Sequence, residues 1–225
     1  MFRCARAALY GLLFVLLCAA PALSADPYNP DEKTRDALQQ ASEAYAAGNF
    51  DKTRKILKPL ADKNEPMAAF VLGLMAARGA GQPRDFKVAE SWWKKSAAAG
   101  NHLSQFNLGL LYFKGSLGDP DFAKVRELWS QAAAARNPDA LYGLGLLQKN
   151  GQGGPKDLPG AVGSFAEASA LGHPLATFEL GRAYMEGSGG RPKDLARAKD
   201  LFDQAAARGV PEARAALDAL TATGK

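Results

Sequence analysis

The chain has 225 residues, of which 47% are hydrophobic and 23% charged, and its formal net charge at pH 7 is +5. A positive surplus this small, interspersed with acidic residues, does not indicate binding to nucleic acids or to membrane surfaces. The chain has only two cysteines, Cys4 and Cys18, which excludes a disulfide-rich secreted domain.

Residues 1–25 have the pattern of a secretory signal peptide. Two arginines precede the apolar run 7–20, and small residues lead to a predicted cleavage after Ser24 or Ala25. A membrane anchor is the competing interpretation, but the run is shorter than the ~20 apolar residues that a spanning helix needs. The pattern predicts an exported protein, periplasmic or secreted, that keeps no stable membrane anchor after cleavage.

Cys18 raises a second alternative, a lipoprotein. The residue before a lipidated cysteine is expected to be small, and here it is Leu17, which disfavours lipidation. Cleavage at the predicted site removes both cysteines, so the mature chain forms no disulfide. It also removes two arginines, leaving 26 basic and 23 acidic residues and a net charge of +3.

Residues 26–66 precede the regular part of the chain. They begin with a short polar, proline-containing tail over 26–31. The segment 41–64, which includes SEAYAAGNFDKTRKILKPLADKN, resembles a single tetratricopeptide unit. We therefore expect 26–66 to hold a tail and a helical opening repeat.

Residues 67–210 repeat one phrase every 36 residues, four times in all. A period between 20 and 50 residues predicts a stacked array in which each unit is too small to bury its own apolar face. The phrase is a Leu-Gly pair followed six positions later by a second glycine. The pairs are Leu72-Gly73, Leu108-Gly109, Leu144-Gly145 and Leu180-Gly181, and the second glycines are Gly79, Gly115, Gly151 and Gly187.

Each unit is predicted to be a helix, a tight turn and a second helix. A break rich in glycine and proline follows each second glycine, and the last break is one residue longer than the others. Each break ends in an aspartate that is a good N-cap for the second helix: Asp85, Asp121, Asp157 and Asp194. The second helix then carries an aromatic column flanked by small residues: Trp93, Trp129, Phe165 and Phe202.

This pattern resembles the Sel1-like repeat (SLR), a relative of the tetratricopeptide repeat. Ala140, Leu144 and Gly145 match it, as does Tyr184, whereas Ala76 and Gln148 depart from its tyrosine column and Ser104 from its small-alanine column. The resemblance covers 67–210 and implies an all-α fold, an α/α superhelical solenoid of tetratricopeptide/SLR-type helix-turn-helix repeats. Residues 211–225 are expected to form a C-terminal capping helix and tail.

The candidate catalytic motifs are weak. Ser91 and Lys94 match the S-x-x-K motif of penicillin-recognising enzymes, but S-D-N and K-T-G are absent and the match lies on the second helix of a repeat. His102 and His173, the only histidines, have no carboxylate at helical spacing, so no metal site is predicted. We predict a protein that is not an enzyme and has no cofactor.

The resemblance places partner binding on the first helices, which line the concave face of tetratricopeptide-like arrays. Three sets of equivalent positions are candidates. They are the third residue before the glycine of each Leu-Gly pair, the first residue after that glycine and the fourth residue after it. The alternative, which the sequence leaves open, is that the aromatic column packs in the core between repeats. The predicted partner-binding residues are Phe70, Leu74, Phe106, Leu110, Phe113, Tyr142, Leu146, Phe178 and Arg182.

Two functions follow as hypotheses. The first is an exported scaffold that binds a protein or peptide partner through the concave face, in envelope signalling or assembly. The second is a peptidoglycan-fragment binder or a β-lactamase-like envelope hydrolase, as the resemblance also implies. Assays of muropeptide binding and nitrocefin hydrolysis distinguish the two.

Overall fold

The computed structural model describes residues 28–223, which form eleven α-helices and no strand within that range. The predicted all-α class is confirmed. The predicted signal peptide and both cysteines lie outside the described residues. The helices are α1 (Glu32–Ala46), α2 (Phe50–Asp62), α3 (Pro66–Arg78), α4 (Phe86–Ala98), α5 (His102–Phe113), α6 (Phe122–Ala134), α7 (Pro138–Asn150), α8 (Leu158–Ala170), α9 (Pro174–Glu186), α10 (Leu195–Ala207) and α11 (Pro211–Thr223).

The four predicted aspartate N-caps are present at the starts of α4, α6, α8 and α10. Asp157 is typical, since its Oδ1 accepts a hydrogen bond of 2.9 Å from the backbone N–H of Gly160. Such a cap satisfies a donor that the first helical turn would otherwise leave without a partner. The other caps bond in the same way to Val88, Lys124 and Arg197.

The turn inside each helix pair is closed by the backbone rather than by side chains. The N–H of Asp121 donates to the carbonyl of Tyr112 at 3.2 Å, and that of Asp157 donates to the carbonyl of Gln148 at 2.8 Å. The N–H groups of Asp85 and Asp194 donate in the same way to the carbonyls of Ala76 and Tyr184. All four acceptors occupy the tyrosine column of the repeat. Because the acceptor is a backbone oxygen, the column tolerates alanine and glutamine in place of tyrosine.

The described part of the chain divides into two compact units, with the boundary between residues 105 and 106, inside α5. In the first unit, α1 to α4 pack each against the next, around buried side chains such as Leu57, Phe70 and Trp93. In the second unit, α6 to α11 pack in the same sequential way. Its core contains Phe165 and Phe202, which are 2% and 0% exposed. Within 28–223, no helix is long and apolar enough to cross a membrane.

Candidate partner-binding surface

The glycine of each Leu-Gly pair lies directly against the aromatic ring of the following helix. A Cβ added to Gly73 would come within 2.5 Å of Trp93, and one added to Gly145 within 2.5 Å of Phe165. Gly109 and Gly181 meet Trp129 and Phe202 in the same way. This close approach fixes the rotation of each first helix about its axis. It therefore decides which side chains of that helix reach the surface.

The two tryptophans also bond to the first helix. The indole N–H of Trp93 donates to the carbonyl of Phe70 at 3.1 Å, and that of Trp129 donates to the carbonyl of Phe106 at 3.2 Å. A buried indole needs such an acceptor. The N–H of residue 74 or 110 is the usual helical partner of that carbonyl, so the tryptophan bond is an additional one.

The predicted aromatic column packs against the same rings. Phe106 stacks on Trp129 with ring centroids 5.8 Å apart, Tyr142 lies 6.0 Å from Phe165, and Phe178 lies 5.5 Å from Phe202. Phe70 is 4% exposed, whereas Phe106, Tyr142 and Phe178 are half-buried. Phe70 is therefore a core residue of the free chain. The other three contribute to packing and also present part of their rings to solvent.

The column one residue after each Leu-Gly glycine is also half-buried. Leu74 lies in the first unit. In the second unit, Leu110 packs on the cluster around Val125 and Trp129, and Leu146 packs on the larger cluster around Phe165 and Phe202. Part of the surface of Leu110, a predicted partner contact, is therefore buried against the second helix of its own pair.

Phe113 is the most exposed of the predicted apolar residues, at 39%. Its ring stacks on Trp129 at 5.5 Å and meets Phe122 edge-on at 5.8 Å. These contacts hold the ring in place without covering it. A rigid, partly exposed aromatic is the type of residue that anchors protein interfaces.

Charged residues lie beside these apolar side chains on α7 and α9. Lys149 forms an ion pair of 2.8 Å with Glu179, joining two first helices. Arg182 pairs with Glu186 at 3.1 Å and lies 3.6 Å from Glu179. Burial raises the pKa of the Tyr142 hydroxyl, and the negative charges of Glu179 and Glu212 raise it further. The candidate residues of the first helices are therefore apolar on α5, whereas charged side chains accompany them on α9.

Sequence analysis did not predict the ion pair between Lys149 and Glu179 or the packing of His173 on Tyr142. The residues of each pair are about 30 positions apart, close to one repeat, so they meet only when neighbouring units stack. A spacing close to the repeat period indicates that two residues lie near each other in stacked repeats. It does not indicate the direction in which each side chain points, so the contacts themselves could not be predicted.

The S-x-x-K match lies on the surface of α4. Ser91 is exposed, and Lys94 Nζ lies 2.7 Å from Glu90 Oε1. Such a pair is the ordinary i,i+4 ion pair of a solvated helix. Residues 28–223 contain no group of three or more His, Cys, Asp or Glu side chains that could hold a metal ion.

Comparison with known proteins agrees with this geometry. A solved Sel1 repeat protein from Oxalobacter formigenes is similar, with 27% sequence identity and a TM-score of 0.75, over 80% of this chain and 73% of that one. A protein from Klebsiella pneumoniae described as Sel1 repeat shares the fold, with 20% identity and a TM-score of 0.51, over 85% of this chain and 97% of that one. No curated protein matches the sequence.

The sequence model of the Sel1 repeat matches four consecutive segments, residues 66–101, 102–137, 138–173 and 174–210. Each segment contains one helix pair joined by the glycine-aromatic contact described above. Proteins built from this repeat generally mediate protein–protein interactions. The chain belongs to the Sel1 repeat family.

Proposed function

We propose that this protein is an exported, non-enzymatic scaffold that binds a protein partner through the first helices of its repeats. The observation that supports the proposal most directly is the state of Phe113, which is held by two aromatic rings and yet 39% exposed. Half-buried Phe106 and Leu110 lie on the same helix. Together these side chains offer a preformed apolar surface on α5.

Phe106, Leu110 and Phe113 belong to the second unit, and in that unit the proposed surface continues on α7 and α9. Tyr142, Leu146 and Phe178 are half-buried, and the side chain of Arg182 is 38% exposed. A graded surface of this kind suits a helix or extended peptide with apolar residues at one end and polar residues at the other. In the first unit, Leu74 is the predicted contact that retains exposed area, since Phe70 is buried.

Export is proposed from the signal-peptide pattern of residues 1–25, and an exported scaffold could act in envelope signalling or assembly. Expression of the full chain in a Gram-negative host, cell fractionation and intact-mass measurement test this part. A mature form beginning at residue 25 or 26 in the periplasm or medium supports it. Retention of residues 1–24 in a cytoplasmic product contradicts it.

The binding surface is tested by site-specific photo-crosslinking. A photoreactive phenylalanine analogue at position 113 is compared with one at position 131, which is an exposed residue of α6. We expect a protein adduct from position 113 that is absent from position 131 and is competed by unlabelled protein. Equal adducts from both positions, or none from 113 in the native envelope, would reject the proposed face.

A further inference from the structure

The first helices of the second, third and fourth repeats begin with an asparagine or histidine cap, and the histidine cap is an ionisable ring. Asn101 and Asn137 each accept a hydrogen bond through Oδ1, from the N–H of Ser104 at 2.8 Å and of Ala140 at 2.9 Å. At the start of α9 the corresponding residue is His173. Its Nδ1 accepts from the N–H of Ala176 at 3.1 Å.

The two types of cap are interchangeable in geometry. Asn137 and His173 have the same backbone angles, φ −69° and ψ 116°, and each is followed by a proline. They differ in chemistry, because an amide oxygen accepts a hydrogen bond at every pH. An imidazole nitrogen accepts only while it carries no proton, and a fully protonated ring has no acceptor at all.

The surroundings fix the ring in the capping orientation. His173 stacks on Tyr142 with ring centroids 4.6 Å apart, and its side chain is only 11% exposed. With Nδ1 accepting, the proton of the neutral ring lies on Nε2, which is 3.4 Å from Asp139 Oδ1. The ring therefore joins α7 to the first turn of α9.

The charged groups around the ring act in opposite directions. Asp139 attracts a protonated ring, but its side chain is 60% exposed, so solvent weakens that attraction. A guanidinium nitrogen of Arg208 on α10 would lie 4.0 Å from a Cβ at Gly172, the residue before the cap. The carboxylates of Glu179 on α9 and Glu212 on α11 also act on Tyr142, the stacking partner of the ring.

We propose that His173 makes the start of α9 a pH-sensitive joint between the third and fourth repeats. A neutral ring caps α9 and packs on Tyr142. A proton on Nδ1 would face the N–H of Ala176 and would place a positive charge at a helix N-terminus, and both effects are unfavourable. The cap is thus complete while the ring is neutral and is lost when Nδ1 takes up a proton. This inference concerns the chain alone and does not depend on a partner.

The test compares the wild type with His173→Asn, which restores the amide cap found at Asn137. The cap is followed through the backbone amide resonance of Ala176 in ¹H–¹⁵N spectra between pH 8 and pH 5. We expect that resonance to titrate together with the His173 imidazole in the wild type and to stay in place in the variant. His102 is the only other histidine, so the variant also assigns the imidazole signals.

Thermal melts give the second measurement. Between pH 7.5 and pH 5 we expect the melting temperature of the wild type to fall by about 2–4 °C more than that of His173→Asn. This is the size of change expected when a helix loses its cap in a domain of this size. An Ala176 amide that does not follow the imidazole, or equal pH dependence of both melting temperatures, would overturn the proposal. A wild type that gains stability on acidification would show that the attraction of Asp139 prevails over the lost cap, and it would overturn the proposal as well.

Discussion

Gly145 and Phe165 are in direct contact, since a Cβ on residue 145 would come within 2.5 Å of Phe165 Cε1. Gly145 is in the middle of α7, and Phe165 is 2% exposed in the middle of α8. Glycine in a helix interior costs up to ~1 kcal/mol relative to alanine. The contact explains why the repeat retains it, because any side chain there would collide with a ring that has no free space to move into.

Substitution at Gly145 is therefore expected to destabilise the protein. Gly145→Leu overpacks the contact and should cost about 1–3 kcal/mol in the free energy of unfolding, measured in urea. Gly163→Ala in α8 is the matched control, because a Cβ there would meet no atom within 4 Å apart from the local backbone of its own helix. The control should gain up to ~1 kcal/mol. A higher melting temperature for Gly145→Leu would refute the close-packing account.

Two neighbouring leucines of α7 should differ in their contribution to stability. Leu147 is 0% exposed, so Leu147→Ala should cost about 2–5 kcal/mol through lost burial and a residual cavity. Leu146 is half-buried, and Leu146→Ala should cost less than half as much. Urea unfolding of the two variants checks the order. Equal losses would mean that residue 146 belongs to the core and is not available to a partner.

A pair of buried serines in the first unit should be strongly coupled. Ser104 Oγ donates to Ser96 Oγ at 2.7 Å, and Ser96 Oγ donates to the carbonyl of Pro66 at 2.6 Å. Ser96→Ala leaves the Ser104 hydroxyl without this acceptor and should cost about 1–3 kcal/mol. The double variant should recover much of that loss, because alanines occupy both positions in the next two repeats. Additive losses in the double-mutant cycle would contradict the coupling.

Acid should weaken the cap of α6. Hydrogen bonds from the Lys124 side chain and then from its backbone N–H hold the pKa of Asp121 below its ordinary value of 3.8. A carboxyl group whose pKa is lower in the folded state stabilises that state above the unfolded pKa. This contribution is lost as the pH falls through the folded pKa, that is, below about pH 4. The free energy of unfolding, measured in urea from pH 7 to pH 3, should fall less for Asp121→Asn than for the wild type. An equal fall in both proteins would argue against a stabilising role of the Asp121 carboxylate.

The sequence by itself determined the repeat, its helices and its turns. The Leu-Gly glycines and the aspartates at the breaks are local signals: a glycine marks a close approach or a turn, and an aspartate before an apolar segment caps a helix. Both signals recur at a fixed period, and repetition makes each of them stronger. The aspartate N-caps and the all-α class follow from such local chemistry alone.

Only the tertiary structure decided which columns are buried and which long-range pairs form. Phe70 and Phe113 belong to the same apolar pattern, yet one is 4% exposed and the other 39%. The difference depends on how each helix rotates against its neighbour, which the glycine-aromatic contact sets. The ion pair of Lys149 with Glu179 and the packing of His173 on Tyr142 depend on repeat stacking and on ring orientation. A sequence period gives the distance between such residues along the chain, but the direction of a side chain is fixed by packing in three dimensions.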